Sequence, residues 1–416
     1  MKILILGSGA REHAIAEKIS ENKRVEKIFC CPGNVYYKFL KNAENIFLEN
    51  IDDIVNFAKT NKIDLTIVGN EEFLVEGIVD KFEKENLKIF GPNKKAAMLE
   101  GSKAYAKNFM KKYGVSTAKY AIFDDEKKAL EFITKINFPA VIKASGLAAG
   151  KGVVIVNNID EAKKTIIDMM SNKIFKDAAD TIVIEEFLDG VEASILSITD
   201  SKIIIPFISA KDHKKIFEGE KGLNTGGMGV ISPNPYYSEE VKNKFIKNIL
   251  EPTLKGIKEE KMNFSGIIFF GLMITKDDVY LLEYNMRMGD PETQAVLPLM
   301  ESDFLELIES SIEKKLKKDE IIWKNKFSCC VVGVANGYPL SYKKGEIISG
   351  IEKFEKNENL KLYTAGVDFK NDNFITNGGR VINIVGVGNN IEEAREIAYS
   401  NIEKIKFNGI YFRKDI

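Results

Sequence analysis

Histidine and arginine are nearly missing from this 416-residue chain: His13 and His213 are the only histidines, and six arginines stand against 54 lysines. Two histidines leave little material for a His-rich zinc centre or a histidine triad. The four cysteines form two adjacent pairs, Cys30-Cys31 and Cys329-Cys330, each inside an apolar stretch and not at a metal-ligand spacing, so buried reduced thiols are expected. No apolar run approaches the roughly 18 residues of a membrane span. The run after Met1-Lys2 is only Ile3 to Leu6, too short for the apolar core of a signal peptide, so a cytoplasmic protein is expected. An excess of either charge is also missing. Sixty basic side chains against 61 acidic ones give a formal charge of -1, which argues against nucleic acid or a membrane surface as partner.

What is present is a globular composition, 44% hydrophobic and 29% charged, over a length that suits two to four domains of about 100 to 200 residues each. Lys2-Ile-Leu-Ile-Leu-Gly7 reads as a buried strand, Ala10–Ser20 as a helix, and 27–31, 64–68 and 88–90 as further strands. Strands alternating with helices predict a parallel, Rossmann-like sheet over residues 1–100, with ligands at the carboxyl ends of its strands. Residues 101–190 read as a Lys-rich helical stretch to about Phe123, then a small α+β lobe with strands at 140–143, 152–156 and 181–187 and one helix at 160–170. Residues 191–325 add strands at 193–199, 202–209, 266–275 and 279–284 and helices at 239–258 and 303–315. A final α+β unit, 326–416, has strands near 328–335, 360–369 and 380–388 and a helix at 391–404. No linker rich in Pro, Gly or Ser separates these units, so they are expected to pack together.

Six segments carry chemistry. Gly7-Ser-Gly-Ala-Arg-Glu12 begins like a dinucleotide fingerprint, but Glu12 replaces the third glycine and no acid follows the second strand, which disfavours a nicotinamide cofactor. The helix start after Gly9 can offer free N–H groups to one phosphate, with Arg11 adding charge, or it is simply a tight turn. Lys143-Ala-Ser-Gly-Leu-Ala-Ala-Gly-Lys-Gly-Val153 sets two lysines around small residues whose backbone can close over phosphates, without Walker spacing; a plain hairpin loop is the alternative. Ile184-Glu-Glu-Phe-Leu-Asp-Gly-Val-Glu192 suits a crossing between lobes that pins a base beside Phe187 or Leu188 while Glu192 reaches a ribose, or an ordinary edge strand. In Leu282-Glu-Tyr-Asn-Met-Arg-Met-Gly-Asp-Pro-Glu-Thr-Gln294, strand alternation sets Glu283, Asn285 and Arg287 on one face: two hard oxygen donors suited to Mg²⁺ beside a guanidinium, as phosphoryl transfer needs. Two loops, 209–215 and 223–229, suit a small substrate, with Asp212 for an ammonium and the Gly226-Gly227 backbone for a carboxylate. His213 reads as a capping or surface residue.

Taken in order, Gly-Ala-Arg-Glu-His13, Pro-Gly-Asn34, Leu-Glu-Gly-Ser-Lys103, Gly-Leu-Ala-Ala-Gly-Lys-Gly152, Glu-Glu-Phe-Leu-Asp-Gly190, Asp-His-Lys214, Asn-Thr-Gly-Gly-Met-Gly229, Asn-Met-Arg-Met-Gly-Asp-Pro-Glu292 and Thr-Asn-Gly-Gly-Arg380 resemble the phosphoribosylamine-glycine ligases, the glycinamide ribonucleotide synthetases of purine biosynthesis. The likeness runs over nearly the whole chain. It implies a two-lobed ATP-grasp behind the first domain, ATP as substrate, Mg²⁺ or Mn²⁺ as cofactor, glycine and 5-phosphoribosylamine as the other substrates, and a monomer or weak dimer. By position it implies ATP contacts at Lys103, Lys143, Gly150, Lys151, Gly152, Glu185, Glu186, Phe187, Leu188 and Glu192, and metal contacts at Glu283 and Asn285. Arg287, Lys143 and Asp290 are the implied catalytic residues. The implied substrate contacts are Gly7, Ser8, Gly9, Arg11, Asn34, Glu71, Asp212, Gly226, Gly227 and again Arg287. Ala10, Asn70, Ser145, Met288 and the bulky Val35-Tyr36-Tyr37 depart from the pattern and put the phosphoribosylamine pocket in doubt. Another ATP-grasp carboxylate-amine ligase, a nicotinamide oxidoreductase and a non-catalytic nucleotide sensor are the rival readings.

Overall fold

The computed structural model describes residues 1–148, 150–318 and 321–416, with the side chains of all of them except Tyr36 and Tyr37. In the first sheet β1 (Lys2–Gly7), β2 (Lys27–Pro32), β3 (Ala43–Asn45), β4 (Leu65–Val68) and β5 (Ile89–Phe90) pair in the order β3-β2-β1-β4-β5, every pair parallel. The unbroken apolar run of β1 is explained by burial on both faces. Ile3 and Ile5 join the core under α1 (Ala10–Ser20), while Leu4 and Leu6 join the core under α2 (Ile51–Thr60) and the helix Ile78–Lys84. The same two-residue alternation sends Cys30 and Cys31 into different cores, and all four cysteines are buried thiols outside any disulfide, as expected. Short polar β3 has no apolar pattern and was not foreseen. The chain leaves β1 towards β2 and later returns to β1's other side with β4, so the switch point lies beside Gly7 and Gly69.

The expected helix up to Phe123 stops earlier. After Lys94–Gly101 and Lys103–Tyr113, Gly114 adopts φ +73° and ends the second helix, and Tyr120–Phe123 is a strand, β6. It joins β7 (Ala140–Ala144), β8 (Val153–Val156) and β9 (Ile182–Glu186) in the antiparallel order β6-β9-β7-β8. Two helices, not one, cover this lobe: Ile159–Met170 is joined by Glu126–Phe132, whose start is capped by Asp125.

The larger lobe is the antiparallel sheet β11-β10-β16-β17, with β10 Val191–Thr199, β11 Ile204–Pro206, β16 Gly266–Ile274 and β17 Val279–Asn285. The strand expected at 202–209 shrinks to three residues. The two expected loops are partly strand: β12 (Lys211–Asp212), β13 (Lys215–Phe217), β14 (Lys221–Asn224) and β15 (Gly229–Ser232). The helix expected at 239–258 holds a π turn at Ile246–Leu250. Pro252 has no N–H to give, and the carbonyl of Asn248 is taken instead by the Ser116 N–H at 2.9 Å.

At the carboxyl end, β18 (Phe327–Val334), β20 (Leu360–Thr364) and β23 (Arg380–Gly388) continue into β15 and β12, order β12-β15-β18-β23-β20. One hydrogen-bonded sheet thus joins the last ninety residues to the 211–232 segment, a tighter coupling than packing alone. Gly229 permits it, since a Cβ there would stand 2.7 Å from the Cys330 carbonyl oxygen and from Ile416. The strand expected at 360–369 splits at Ala365-Gly366, and β21 (Val367–Lys370) pairs in a separate small sheet with β22 (Asn373–Thr376), which β19 (Ile347–Ile348) completes. No helix among the described residues is long and apolar enough to cross a membrane.

The larger lobe's stability should rest on the aromatic cluster beneath β16. Phe270 is fully buried and meets Phe245 and Tyr284 edge-on, with centroids 5.2 and 5.7 Å away. Phe270→Ala should cost about 3 to 5 kcal/mol, read as a lower urea midpoint with little change in slope.

Candidate active site

A cavity of about 440 Å³ opens where the first sheet, the two lobes and the carboxyl-terminal sheet meet. On its small-lobe wall, β7 ends in Lys143 and β9 presents Glu185. Burial of two ammonium groups requires a counter-charge. Glu185 Oε2 supplies it to both, at 3.0 Å from Lys143 Nζ and 3.2 Å from Lys107 Nζ, with all three side chains nearly inaccessible. Lys107 also donates to Thr117 Oγ1 at 2.6 Å and lies over the Tyr120 ring. Burial lowers its pKa to about 8 despite Glu185. Lys103, at the start of its helix, is likewise lowered by burial, with Glu283 opposing and Lys143 adding to the effect.

Gly150 and Gly152 line the cavity, Lys151 is exposed, and Ala149 lies outside the described residues. A Cβ on Gly152 would come within 2.8 Å of the Ala148 Cβ and 3.1 Å of the Ala144 Cβ, so the small residues allow this loop to close on itself. Strand alternation separates the Glu-Glu pair. Glu185 faces the cavity, whereas Glu186 points away and accepts the Lys119 N–H at 2.7 Å. Phe187 and Leu188 do not line the cavity, while Glu192 does and is paired with Lys214 at 2.7 Å.

On the larger lobe, β17 carries Glu283 and Asn285 into the cavity, followed by Arg287, as the alternation predicts. Burial alone would raise the Glu283 carboxyl; Lys214, Lys103, Lys143 and Arg287 outweigh it and hold the group below its usual range. An ionised carboxylate and an amide oxygen form a hard donor pair that fits Mg²⁺ or Mn²⁺ with positions left for substrate oxygens. No three His, Cys, Asp or Glu side chains among the described residues form a closed metal cage. Arg287 is gripped from the opposite side: Nε lies 3.3 Å from Glu71 Oε2 and Nη2 lies 3.0 Å from Glu100 Oε1. Glu100 Oε2 accepts the Met286 N–H at 2.7 Å. Burial opposes the charge of Arg287, but Glu100 and Glu71 prevail and raise its pKa. Burial raises Glu100 in turn, while Arg287 and Arg11 overcome burial to lower Glu71.

The substrate-side expectations need correction. The Gly9 N–H is not free: it donates to Glu12 Oε2 at 2.6 Å, a carboxylate that reaches back from the first helical turn. Arg11 Nε donates to the same carboxylate at 2.5 Å, and its Nη1 donates to the Met288 carbonyl at 3.1 Å. Glu12 also explains the nearby glycines, because a Cβ would stand 2.5 Å from its side chain at Gly7 and 2.1 Å at Gly69. Ser8 and Asn34 line a separate cavity of about 770 Å³, and Asn34 Nδ2 donates to the Ser8 and Thr364 carbonyls at 2.7 and 2.9 Å. Neither amide of the Gly226-Gly227 pair is free: Gly226 donates to Tyr338 Oη and Gly227 to Thr225 Oγ1. These glycines admit neighbours instead. A Cβ would stand 3.0 Å from Arg380 Cζ at Gly226 and 2.7 Å from Asp212 Oδ1 at Gly227. His213 is not a surface residue: it is 5% exposed against Gly229, and burial lowers its pKa to about 4. Asn70, one of the departures, caps its helix by accepting the Glu72 N–H at 2.7 Å. The side chains of Tyr36 and Tyr37 lie outside the described residues.

Arg11, Lys103, Lys143, Glu71, Asp212 and Asp290 are therefore gathered in one cavity with Glu283, Asn285 and Arg287. Lys107, Glu100, Lys214, Glu292 and Arg380 line it too and were missed as site residues. Glu100, Lys214, Glu292 and Arg380 stood inside motifs already singled out, while Lys107 carried no signal among 54 lysines. Arg380 reaches in from β23, with Nη1 bonded to the Gly226 and Asp290 carbonyls at 2.6 and 2.8 Å and 3.3 Å from Asp290 Oδ1.

Two antiparallel lobes facing each other across a cavity of lysines and hard oxygens, behind a parallel-sheet domain, define an ATP-grasp protein. A biotin carboxylase structure from Campylobacter jejuni shares this fold at TM-score 0.78 and 18% identity, covering 100% of this chain and 93% of that one. The chain belongs to the phosphoribosylglycinamide synthetase family: models of that family's N domain, ATP-grasp (A) domain and C domain match residues 1–100, 101–293 and 328–416. A phosphoribosylamine-glycine ligase from Fusobacterium nucleatum is 65% identical, covering 100% of this chain and 98% of that protein; one from Clostridium acetobutylicum is 55% identical over 100% and 99%. The crystal structure of the ligase from Thermotoga maritima superposes at TM-score 0.87 with 33% identity over 100% of both chains.

The shared counter-charge on the small lobe should be visible in titration. Lys107 Nζ followed by heteronuclear NMR should inflect near pH 8, and in Glu185→Gln the inflection should fall lower, because burial then acts with less opposition. The folded chain gives up this proton before the unfolded chain does, so Lys107 favours folding more as pH rises from about 8 into the ordinary lysine range. An inflection in that ordinary range in the wild type would refute the burial argument.

Proposed function

We propose that this chain ligates glycine to 5-phosphoribosylamine at the expense of ATP, giving glycinamide ribonucleotide, ADP and phosphate in purine biosynthesis. The observation that carries the reading is one cavity holding the small-lobe lysines, the Glu283-Asn285 oxygen pair and the carboxylate-clamped Arg287. In the first step a glycine carboxylate oxygen attacks the γ-phosphorus and ADP leaves, giving glycyl phosphate. In the second, the 1-amino group of phosphoribosylamine attacks the glycyl carbonyl and phosphate departs.

Lys103, Lys143 and Lys151 with the Gly150–Gly152 loop receive the triphosphate, Lys143 turning from Glu185 to a phosphate oxygen. The 185–188 segment borders the adenine and Glu192 the ribose. Glu283 and Asn285 would hold Mg²⁺ or Mn²⁺, whose charge would offset that of the triphosphate. Arg287, fixed by Glu71 and Glu100, gives one Nη1 hydrogen to the Met288 carbonyl at 3.2 Å and keeps the other for the transferring phosphoryl group and the acyl phosphate, so its contribution is preorganised. Asp290 stays ionised because Arg380 and Arg11 overcome its burial, which suits it to orient the attacking amine. Arg11, Ser8, Asn34 and the edge of the first sheet border phosphoribosylamine, whose phosphate finds the Gly9 amide already taken by Glu12. A cytoplasmic monomer or weak dimer completes the reading.

The decisive assay is ADP release with phosphoribosylamine generated in place: it should require glycine, and ADP formed equally without glycine would refute the ligase reading. Glu283→Gln should lose activity that added metal partly restores. Arg287→Lys should lose roughly 10² to 10³ in turnover, with little change in ATP affinity and no metal rescue, because a lysine keeps the charge but not the planar fork.

A further inference from the structure

Lys143 and Lys107 lean on the same oxygen, Glu185 Oε2, yet the structure ties them down unequally. Among the described residues Lys143 Nζ has, besides Glu185, only the Leu282 carbonyl at a long 3.4 Å. Lys107 is anchored further. Its ammonium donates to Thr117 Oγ1 at 2.6 Å, that hydroxyl donates to the Leu281 carbonyl at 2.6 Å, and a bridge pairs Thr117 with Leu281 of β17. The same ammonium lies 5.6 Å from the centroid of the Tyr120 ring on β6, and Tyr120 Oη donates to the Lys107 carbonyl at 2.8 Å. Lys103, Lys111 and Lys112 of the same helix are more exposed, so Lys107 alone gives up its water. A strongly hydrated ammonium is buried at high cost unless it answers a charge, and the charge it answers is Glu185. Glu185 Oε1 is buried without a hydrogen-bond partner, so the carboxylate takes its compensation through Oε2. Two cations on one carboxylate leave this wall with one more positive charge than Glu185 needs.

We infer that Lys107 is a positioning residue for the polyphosphate: it is the permanent counter-charge of Glu185, and by answering that carboxylate it releases Lys143 to a phosphate oxygen. The inference rests on the ligase reading, in which ATP fills this cavity, and accounts for how the phosphate lysine becomes available. Without Lys107, moving Lys143 would strip the last cation from a carboxylate already out of water, so Glu185 would compete with phosphate for Lys143. With Lys107 in place the exchange leaves one buried ion pair intact. Lys107 acts through Glu185 and Lys143, while its own ammonium stays on Thr117 and beside Tyr120.

The test measures binding of ATP with Mg²⁺ by calorimetry, glycine and phosphoribosylamine left out, and beside it binding of adenosine, which has the base and ribose but no phosphate. In Lys107→Met of the full chain, which keeps an unbranched side chain and drops the charge, the Kd for ATP should rise roughly 10- to 100-fold, as for loss of a hydrogen bond to a charged group. The Kd for adenosine should change little. Adding Glu185→Gln should recover most of the ATP loss, because a neutral amide no longer competes for Lys143. Equal weakening of ATP and adenosine in Lys107→Met, as a damaged wall gives, overturns the inference, and so does a double variant whose losses add. Should Lys107→Met fail to fold, the double variant, which buries neither charge, is compared with Glu185→Gln alone. Matching Kd values for ATP then support the inference, and a further loss of roughly 10-fold overturns it. A wild type that binds ATP yet forms no ADP with glycine and phosphoribosylamine refutes the ligase reading, a result distinct from the binding comparison that judges Lys107.

Discussion

The pairing of Arg287 with Glu71 and Glu100 is the constraint on which the rest of the site depends. A guanidinium buried in the protein centre needs counter-charge within hydrogen-bond reach, and removing one partner of such a group commonly costs about 3 to 5 kcal/mol. Its partners come from the helix after β4 and from the helix that leads into the small lobe, while Arg287 itself follows β17 of the larger lobe. Satisfying one side chain therefore fixes the first sheet, the connection and the larger lobe relative to one another. Glu100 adds a backbone restraint by accepting the Met286 N–H, which sets the angle at which the chain leaves β17.

The same principle organises the small-lobe wall. Lys107 and Lys143 share one oxygen of Glu185, and Lys107 is held further by Thr117, whose hydroxyl donates to the Leu281 carbonyl at 2.6 Å. The lysine that would meet phosphate is thus anchored through its neighbour to the strand that bears the metal-type oxygens. In the proposed reading the carboxylates keep the cations in place until a polyphosphate offers them a better partner at short range. Arg380 extends this arrangement to the carboxyl-terminal sheet, and because that sheet incorporates β12 and β15, the substrate loops are ordered by residues more than a hundred positions away.

Much of the fold was legible because hydrophobic periodicity is a local property. The buried run of β1, the helix after it and the alternation of Glu283 and Asn285 each follow from spacing alone. Some expectations failed where a remote contact overrode local pattern, others where a neighbouring side chain had already taken the group. β3 and β12 are strands because a neighbouring strand pairs with them, not because of their own side chains. The helix start at Gly9 looked like an anion site because N–H groups are free there in general, yet Glu12 fills the position from within the same turn. Gly226 and Gly227 looked like backbone donors, and their amides are occupied while their missing side chains admit Arg380 and Asp212.

The sequence by itself determined the order of strands and helices around the first sheet, the motifs that mark the family, and the residue types a phosphate-handling cavity requires. Only the tertiary structure decided which charges answer which. The match of Arg287 to Glu71 spans 216 positions, and no periodicity distinguishes Glu100 from the other acids or Lys107 from the other lysines. Local spacing sets the direction in which a side chain points, but the partner it meets depends on how separate elements pack, and the high cost of an unpaired buried charge makes that packing selective.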